Sequence, residues 1–237
     1  MTRALSPDLV GLELDPVSAT WTDKDVMLYA LGVGARPPDD LRFVYEGAGP
    51  VVLPTYGVIP GLAAMGSLFG EVAIDPTMIL HGEQTITCHR TIPPRASVEI
   101  RGRIDQVWDK GKAAVIGFTG TAADEEGDLF TAAATLFVRG AGGFGGERGP
   151  SSSGKHAPPE REPDVVVTYE TRPEQAAIYR LSGDRNPLHV DPEFARMAGA
   201  RRTTGRRQPA RCRLPEHPLA GPIPCRHRSR AGAGSPA

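Results

Sequence analysis

Cysteine is scarce in this chain, and no long apolar run occurs. Three cysteines in 237 residues, Cys88, Cys212 and Cys225, stand too far apart for a disulfide framework or a C-x-x-C metal site. A reducing compartment, the cytoplasm, is the expected one. No stretch reaches the roughly 18 apolar residues that a membrane helix needs; the best candidate, residues 51–70, is broken by Pro54 and Pro60. The N-terminal MTRALSPDLVGLELDP has no apolar centre and carries acids early, so no secretory leader is expected. A G-x-S-x-G elbow is missing, which disfavours a serine-type thioesterase. His189-x-Asp191 has no further His/Cys cluster at ligand spacing, so no metal is expected.

What is present reads as a soluble globular protein, 40% hydrophobic and 23% charged, long enough for one large domain or two ordinary ones. The net charge of −1 hides a split: residues 1–200 sum to −9 and residues 201–237 to +8. In the first unit, residues 1–139, Thr22 or Asp23 can cap a short helix that buries Val26, Tyr29 and Ala30 and ends at Gly32 and Gly34. A second helix fits Pro60–Phe69, with Leu62, Met65 and Phe69 at helical spacing. Residues 97–122 and 129–140 are strand-like, with Val98, Ile100 and Ile104 on one face and a turn at 124–128. Cys88, among alternating Thr and Ile, reads as a buried strand residue. Helix followed by antiparallel strands is an α+β pattern.

Residues 140–163 form a linker in which Gly, Pro and Ser fill 14 of 24 positions. Its Gly140-x-Gly142-x-x-Gly145 match is not followed by a helix, so a dinucleotide site is rejected. The second unit, 164–200, opens on a strand at Val165–Tyr169. A helix follows from Pro173 to Leu181 with Gly183 behind it, then an irregular stretch, then a helix capped by Asp191 and ended by Gly199. In residues 201–237 Arg, Pro, Ala and Gly fill 24 of 37 places without periodicity. A GC-rich gene read out of frame gives such text, and a basic tail is the other reading; no nucleic-acid or membrane partner is expected.

The chemistry concentrates in Tyr179-Arg-Leu-Ser-Gly-Asp184-Arg-Asn186-Pro-Leu-His189-Val-Asp-Pro192. Asp184, Asn186 and His189 share one short loop between two helices, bracketed by Gly183 and Pro187, with Leu188 and Val190 as core anchors. A carboxylate and an imidazole five residues apart could hold one water between them, as acid–base hydration requires. Ordinary turn capping by Asp184 and Asn186, with His189 on the surface, suits the same spacing. Spacing alone leaves both readings open.

This Y-x-x-S-G-D-x-N-P-L-H-x-D-P run resembles the signature of MaoC-like, (R)-specific enoyl-CoA hydratases, the hydratase 2 family. Tyr29-Ala-Leu-Gly32-Val-Gly34, Leu80-His81-Gly82-Glu83-Gln84, Asp109-Lys110-Gly111 and Gly142–Gly146 look like its first repeat, in order. The resemblance covers roughly residues 10–200 and implies a double hot-dog fold whose second half is incomplete here. It implies a catalytic dyad of Asp184 and His189, with Asn186 ordering loop and water. Gly183, Arg185, Pro187 and Leu188 would surround the substrate, and His81 and Gly82 would line the acyl-CoA site. Lys110 would approach the charged CoA portion. From bare sequence, His81 is a core-edge histidine and Lys110 a solvated turn lysine. The implied reaction is hydration of trans-2-enoyl-CoA to (3R)-3-hydroxyacyl-CoA, or its reverse, without cofactor, in a homodimer when full length. A carrier-protein dehydratase, a hot-dog thioesterase and an inactive acyl-CoA-binding product are the alternatives. Nothing in 201–237 matches the rest of the family's second repeat, including backbone donors at the thioester, so little or no hydratase activity is expected of the chain as it stands.

Overall fold

A computed structural model describes residues 2–151, 161 and 172–197. Five antiparallel strands form one sheet: β1 (Glu13–Trp21), β2 (Ile79–Cys88), β3 (Ala96–Asp109), β4 (Ala113–Asp124) and β5 (Gly127–Arg139), in the order β1-β3-β4-β5-β2. Helices α1 (Asp23–Gly32), α2 (Leu41–Val44), α3 (Val58–Gly61) and α4 (Ala64–Glu71) lie between β1 and β2 in sequence. The second unit contributes α5 (Gln175–Leu181) and α6 (Pro192–Met197).

The first helix forms as its sequence suggests. Thr22 caps α1 in a reciprocal box with Asp25, and Val26, Tyr29, Ala30 and Gly32 are buried. The long central strands also match, because β3 and β4 alternate or run apolar against α3 and α4. Ile100, Ile104, Ile116, Phe118 and Phe130 are fully enclosed.

Two edge strands and one helix differ from expectation. β1 contains Pro16, and its register with β3 slips between Leu14 and Val17; only an edge strand tolerates a missing amide donor there. β2 is mostly exposed and polar, so Cys88 lies in a strand but is exposed rather than buried. The Pro60–Phe69 helix is two helices, and its sheet-facing stripe is Gly61, Ala64 and Leu68, while Leu62, Met65 and Phe69 are half-buried. The stripe is small because the backbone lies close to the sheet. A Cβ on Gly61 would collide with Ala132 Cβ, and one on Gly120 would stand 2.8 Å from the Gly61 carbonyl oxygen.

Residues 140–151 are docked rather than a free linker. Ala141 and Phe144 pack on the core around Leu68 and Phe118. Asp109 is 6% exposed, and its carboxylate accepts from the amides of Gly111 (2.7 Å), Gly143 (2.9 Å) and Gly145 (2.8 Å). The Gly143 and Gly111 amides hold that carboxyl below its ordinary range against the opposing effect of burial. The glycine-rich run thus wraps a carboxylate of its own chain. The expected strand at Val165–Tyr169, the Gly199 helix end and the 201–237 tail lie outside the described residues.

Candidate active site

The dyad loop leaves α5 at Ser182 and turns at Gly183, whose φ of 138° suits glycine. α5 begins at Gln175, two residues after Pro173, and ends where expected. A Cβ on Gly183 would stand 2.7 Å from Ile59 Cγ2, so the loop rests on α3. Asp184 Oδ1 accepts from the Asn186 amide (3.3 Å), and Asn186 Oδ1 accepts from the Leu188 amide (3.0 Å), capping a 3-10 turn at Pro187–His189. That turn aims His189 back at Asp184: Nε2 lies 3.4 Å from Oδ2. Capping and dyad therefore coexist, with Asp184 using one oxygen for each. Asp191 Oδ1 accepts from the amides of Glu193 and Phe194 at the start of α6, as a cap should.

Both dyad side chains are about one-third exposed, 31% for Asp184 and 33% for His189. Water can reach them, yet Asp184 is buried enough for neighbours to control it. Its partial burial raises the carboxyl's pKa, but the His189 hydrogen bond and charge, the Asn186 amide and the charge of His81 together bring it below the ordinary range. Of these influences the His189 hydrogen bond is the largest that lowers it and His81, on β2, the smallest.

His81 is exposed and stands at a bulge in β2. It pairs with buried Leu136, so it lies on the helix-bearing face of β2, and the register slips at Gly82 before Glu83 meets Thr135. Thr135 Oγ1 accepts the Glu83 amide (2.9 Å), and a Cβ on Gly82 would stand 2.7 Å from that hydroxyl. Lys110 lies elsewhere. Its ammonium donates to the Arg148 carbonyl and, at 3.1 Å, to that of Pro150, over the Trp108 ring. Of the other loop residues, Arg185 and Asn186 are exposed and Pro187 and Leu188 half-buried; Val190 is 38% exposed and anchors nothing in the core.

Sequence reasoning missed Ile59 and Thr135, which shape the site by contact alone and carry no motif. It also missed a cleft of about 340 Å³ beside the loop, with a mixed lining that includes Ser18, Thr20, Asp25, Tyr56, Ile59 and Ser182. Burial, then the charge of Asp25, keeps the Tyr56 phenol protonated far above its ordinary range. Among the described residues no group of three or more His, Cys, Asp or Glu could hold a metal, and no helix is long and apolar enough to cross a membrane.

A five-stranded antiparallel sheet thus packs on short helices, and the second unit carries an Asp–His pair beside it. Residues 20–140 match the MFE-2 hydratase 2 N-terminal domain and residues 154–203 the MaoC-like domain. The chain is 41% identical over 199 residues to enoyl-CoA hydratase ChsH3 of Mycobacterium tuberculosis, covering 80% of this chain and 68% of that protein. It is 42% identical over 200 residues to the peroxisomal hydratase-dehydrogenase-epimerase of Neurospora crassa, of which it spans 22%, with 80% of this chain aligned. The structure matches that of the MaoC-like dehydratase from Phytophthora capsici with a TM-score of 0.70 at 29% identity, over 84% of this chain and 72% of that one. The chain belongs to the MaoC-like, MFE-2 hydratase 2 family.

Proposed function

We propose that this protein adds water across the double bond of trans-2-enoyl-CoA to give (3R)-3-hydroxyacyl-CoA, and catalyses the reverse dehydration. The observation that carries the reading is the Asp184 Oδ2–His189 Nε2 pair at 3.4 Å in a water-accessible loop. The relatives' names support the substrate class. Such a pair holds one water between an anionic acceptor and an imidazole. The water oxygen bonds to C3, the π electrons move towards the thioester, and a proton reaches C2. Every atom comes from water and substrate and no electrons are exchanged with a third group, so no redox cofactor enters the balance.

Asn186 holds the loop in the shape that pairs the dyad, while Gly183, Arg185, Pro187 and Leu188 form its rim towards substrate. His81 and Gly82 face the reacting end from the first unit. Lys110 is assigned a clasp for the 148–150 backbone in place of a CoA contact. The three widely spaced cysteines support a reducing compartment, the cytoplasm. A homodimer is the assembly proposed for the active form, by likeness to the family.

Asp184→Asn and His189→Gln test the proposal. Each is expected to lower kcat by about 10²-fold or more, the usual worth of a positioned acid–base group, with KM little changed. Loss of enoyl absorbance on a medium-chain enoyl-CoA is the assay, and near-normal turnover in either variant refutes the assignment.

A further inference from the structure

We propose that the C-terminal end of α1 is the seat that fixes the catalytic loop, and that Gly32 is its positioning residue. The inference rests on the dyad reading above and adds residues of the first unit that touch no substrate.

α5 meets α1 backbone to backbone. A Cβ on Gly32 would stand 2.8 Å from Tyr179 Cα, 3.1 Å from its amide nitrogen and 3.2 Å from its Cβ. The Gly32 carbonyl is one of the last in α1, where helical partners run out, and it accepts from Gln175 Nε2 at 3.1 Å. The same Gln175 side chain accepts the Arg172 amide through Oε1 (3.3 Å), so one residue both starts α5 and ties it to α1. One face along, the Tyr29 and Tyr179 rings stack obliquely at 5.9 Å, joining α5 to the core around Trp21 and Phe130. Asp184 follows the end of α5 by three residues, and Gly183 between them rests on Ile59. The loop is therefore held from two sides by the first unit, and its placement is set largely by how closely α5 approaches Gly32.

Gly32 has a chemistry that makes this testable. It is helical, with no left-handed φ, so alanine fits its backbone and is the better helix former. If Gly32 served only α1, alanine would leave the first unit as stable or more so and leave the loop alone. If it is the seat, alanine must push Tyr179 away, because the obstructing atoms are backbone, and the dyad moves with α5.

The experiment compares the 237-residue protein with Gly32→Ala, Gln175→Ala and Asp184→Asn by hydrogen exchange read by mass spectrometry and by steady-state hydration. Gly32→Ala should speed exchange in 175–189 while leaving α1 and β3–β5 protected. It should also lower kcat about tenfold to a hundredfold, the scale of a misplacement of up to ~1 Å, with KM within about twofold. Gln175→Ala, which removes one hydrogen bond and adds no bulk, should shift exchange the same way and kcat less. Unchanged exchange in 175–189 for both variants overturns the proposal. So does acceleration throughout the first unit, or a KM rise at constant kcat. A wild-type protein without hydratase activity, or an Asp184→Asn variant that keeps it, sinks the hydratase reading instead, and exchange in 175–189 still decides the seat.

Discussion

Alanine at Gly61 perturbs the point where the helices lie closest to the sheet. Gly61 is buried in α3 and its new methyl would overlap Ala132 on β5. Restoring an ordinary methyl–methyl separation of about 3.5–4.0 Å requires a lift of more than about 1 Å. Neither side can yield by rotating, since one partner is a β-carbon on a central strand and the other is fixed to helical backbone. Overpacking of this kind costs about 1–3 kcal/mol, or a Tm lower by roughly 3–10 °C for a chain of this size. The lift also carries Ile59, on which Gly183 rests, so kcat should fall by about 10-fold or more through displacement of the dyad. Thermal unfolding followed by circular dichroism and initial hydration rates are the measurements. The sharper check is the double variant Gly61→Ala/Ala132→Gly, which removes the colliding methyl and should recover part of both losses, a coupling that neighbouring sites show and distant ones do not. An unchanged Tm in the single variant, or strictly additive losses in the double, would refute the close-packing argument.

Asp109 gives a pH prediction with a definite sign. Its folded pKa is lowered by the Gly143 and Gly111 amides, so its stabilisation is complete above the ordinary aspartate range and is lost as pH falls through the depressed folded value. Asp109→Asn should lower Tm at neutral pH and flatten the acid side of the Tm–pH curve; a Tm–pH curve identical to wild type contradicts the loop-wrapping role. For Lys110, whose ammonium is committed to the Arg148 and Pro150 carbonyls, Lys110→Met should change KM equally for enoyl-CoA and for pantetheine thioesters lacking the nucleotide. A KM rise confined to the CoA substrate would return Lys110 to a phosphate contact.

The parts of the fold legible in sequence are those where one local signal decides. Thr22, one of the two cap candidates, announces the start of α1, and the spacing of Val98, Ile100 and Ile104 marks one buried face of β3. The missed parts depend on partners far away in the chain. β1 is a strand because β3 offers it an edge, in spite of Pro16. Gly61, Ala64 and Leu68 form the buried stripe because Gly120 and Ala132 admit a close backbone, whereas hydrophobicity alone points to Leu62, Met65 and Phe69. The same holds for the site. The motif brings Asp184, Asn186 and His189 into one loop by local turn chemistry, and the structure keeps that geometry. What no local pattern could give is the support, since Gly32 is 147 residues from Tyr179 and Gly183 is 124 from Ile59.

That separation bears on how the two units divide the chemistry. A loop with side chains one-third exposed cannot hold a dyad by its own burial, because few apolar contacts surround it and short helices such as α5 and α6 are marginal alone. The first unit, whose core encloses Phe118, Phe130 and Leu68 completely, supplies the rigidity. The first repeat need carry no acid or base of its own to be essential to turnover. Substitutions at its contacts with α5 and the loop should therefore act on kcat.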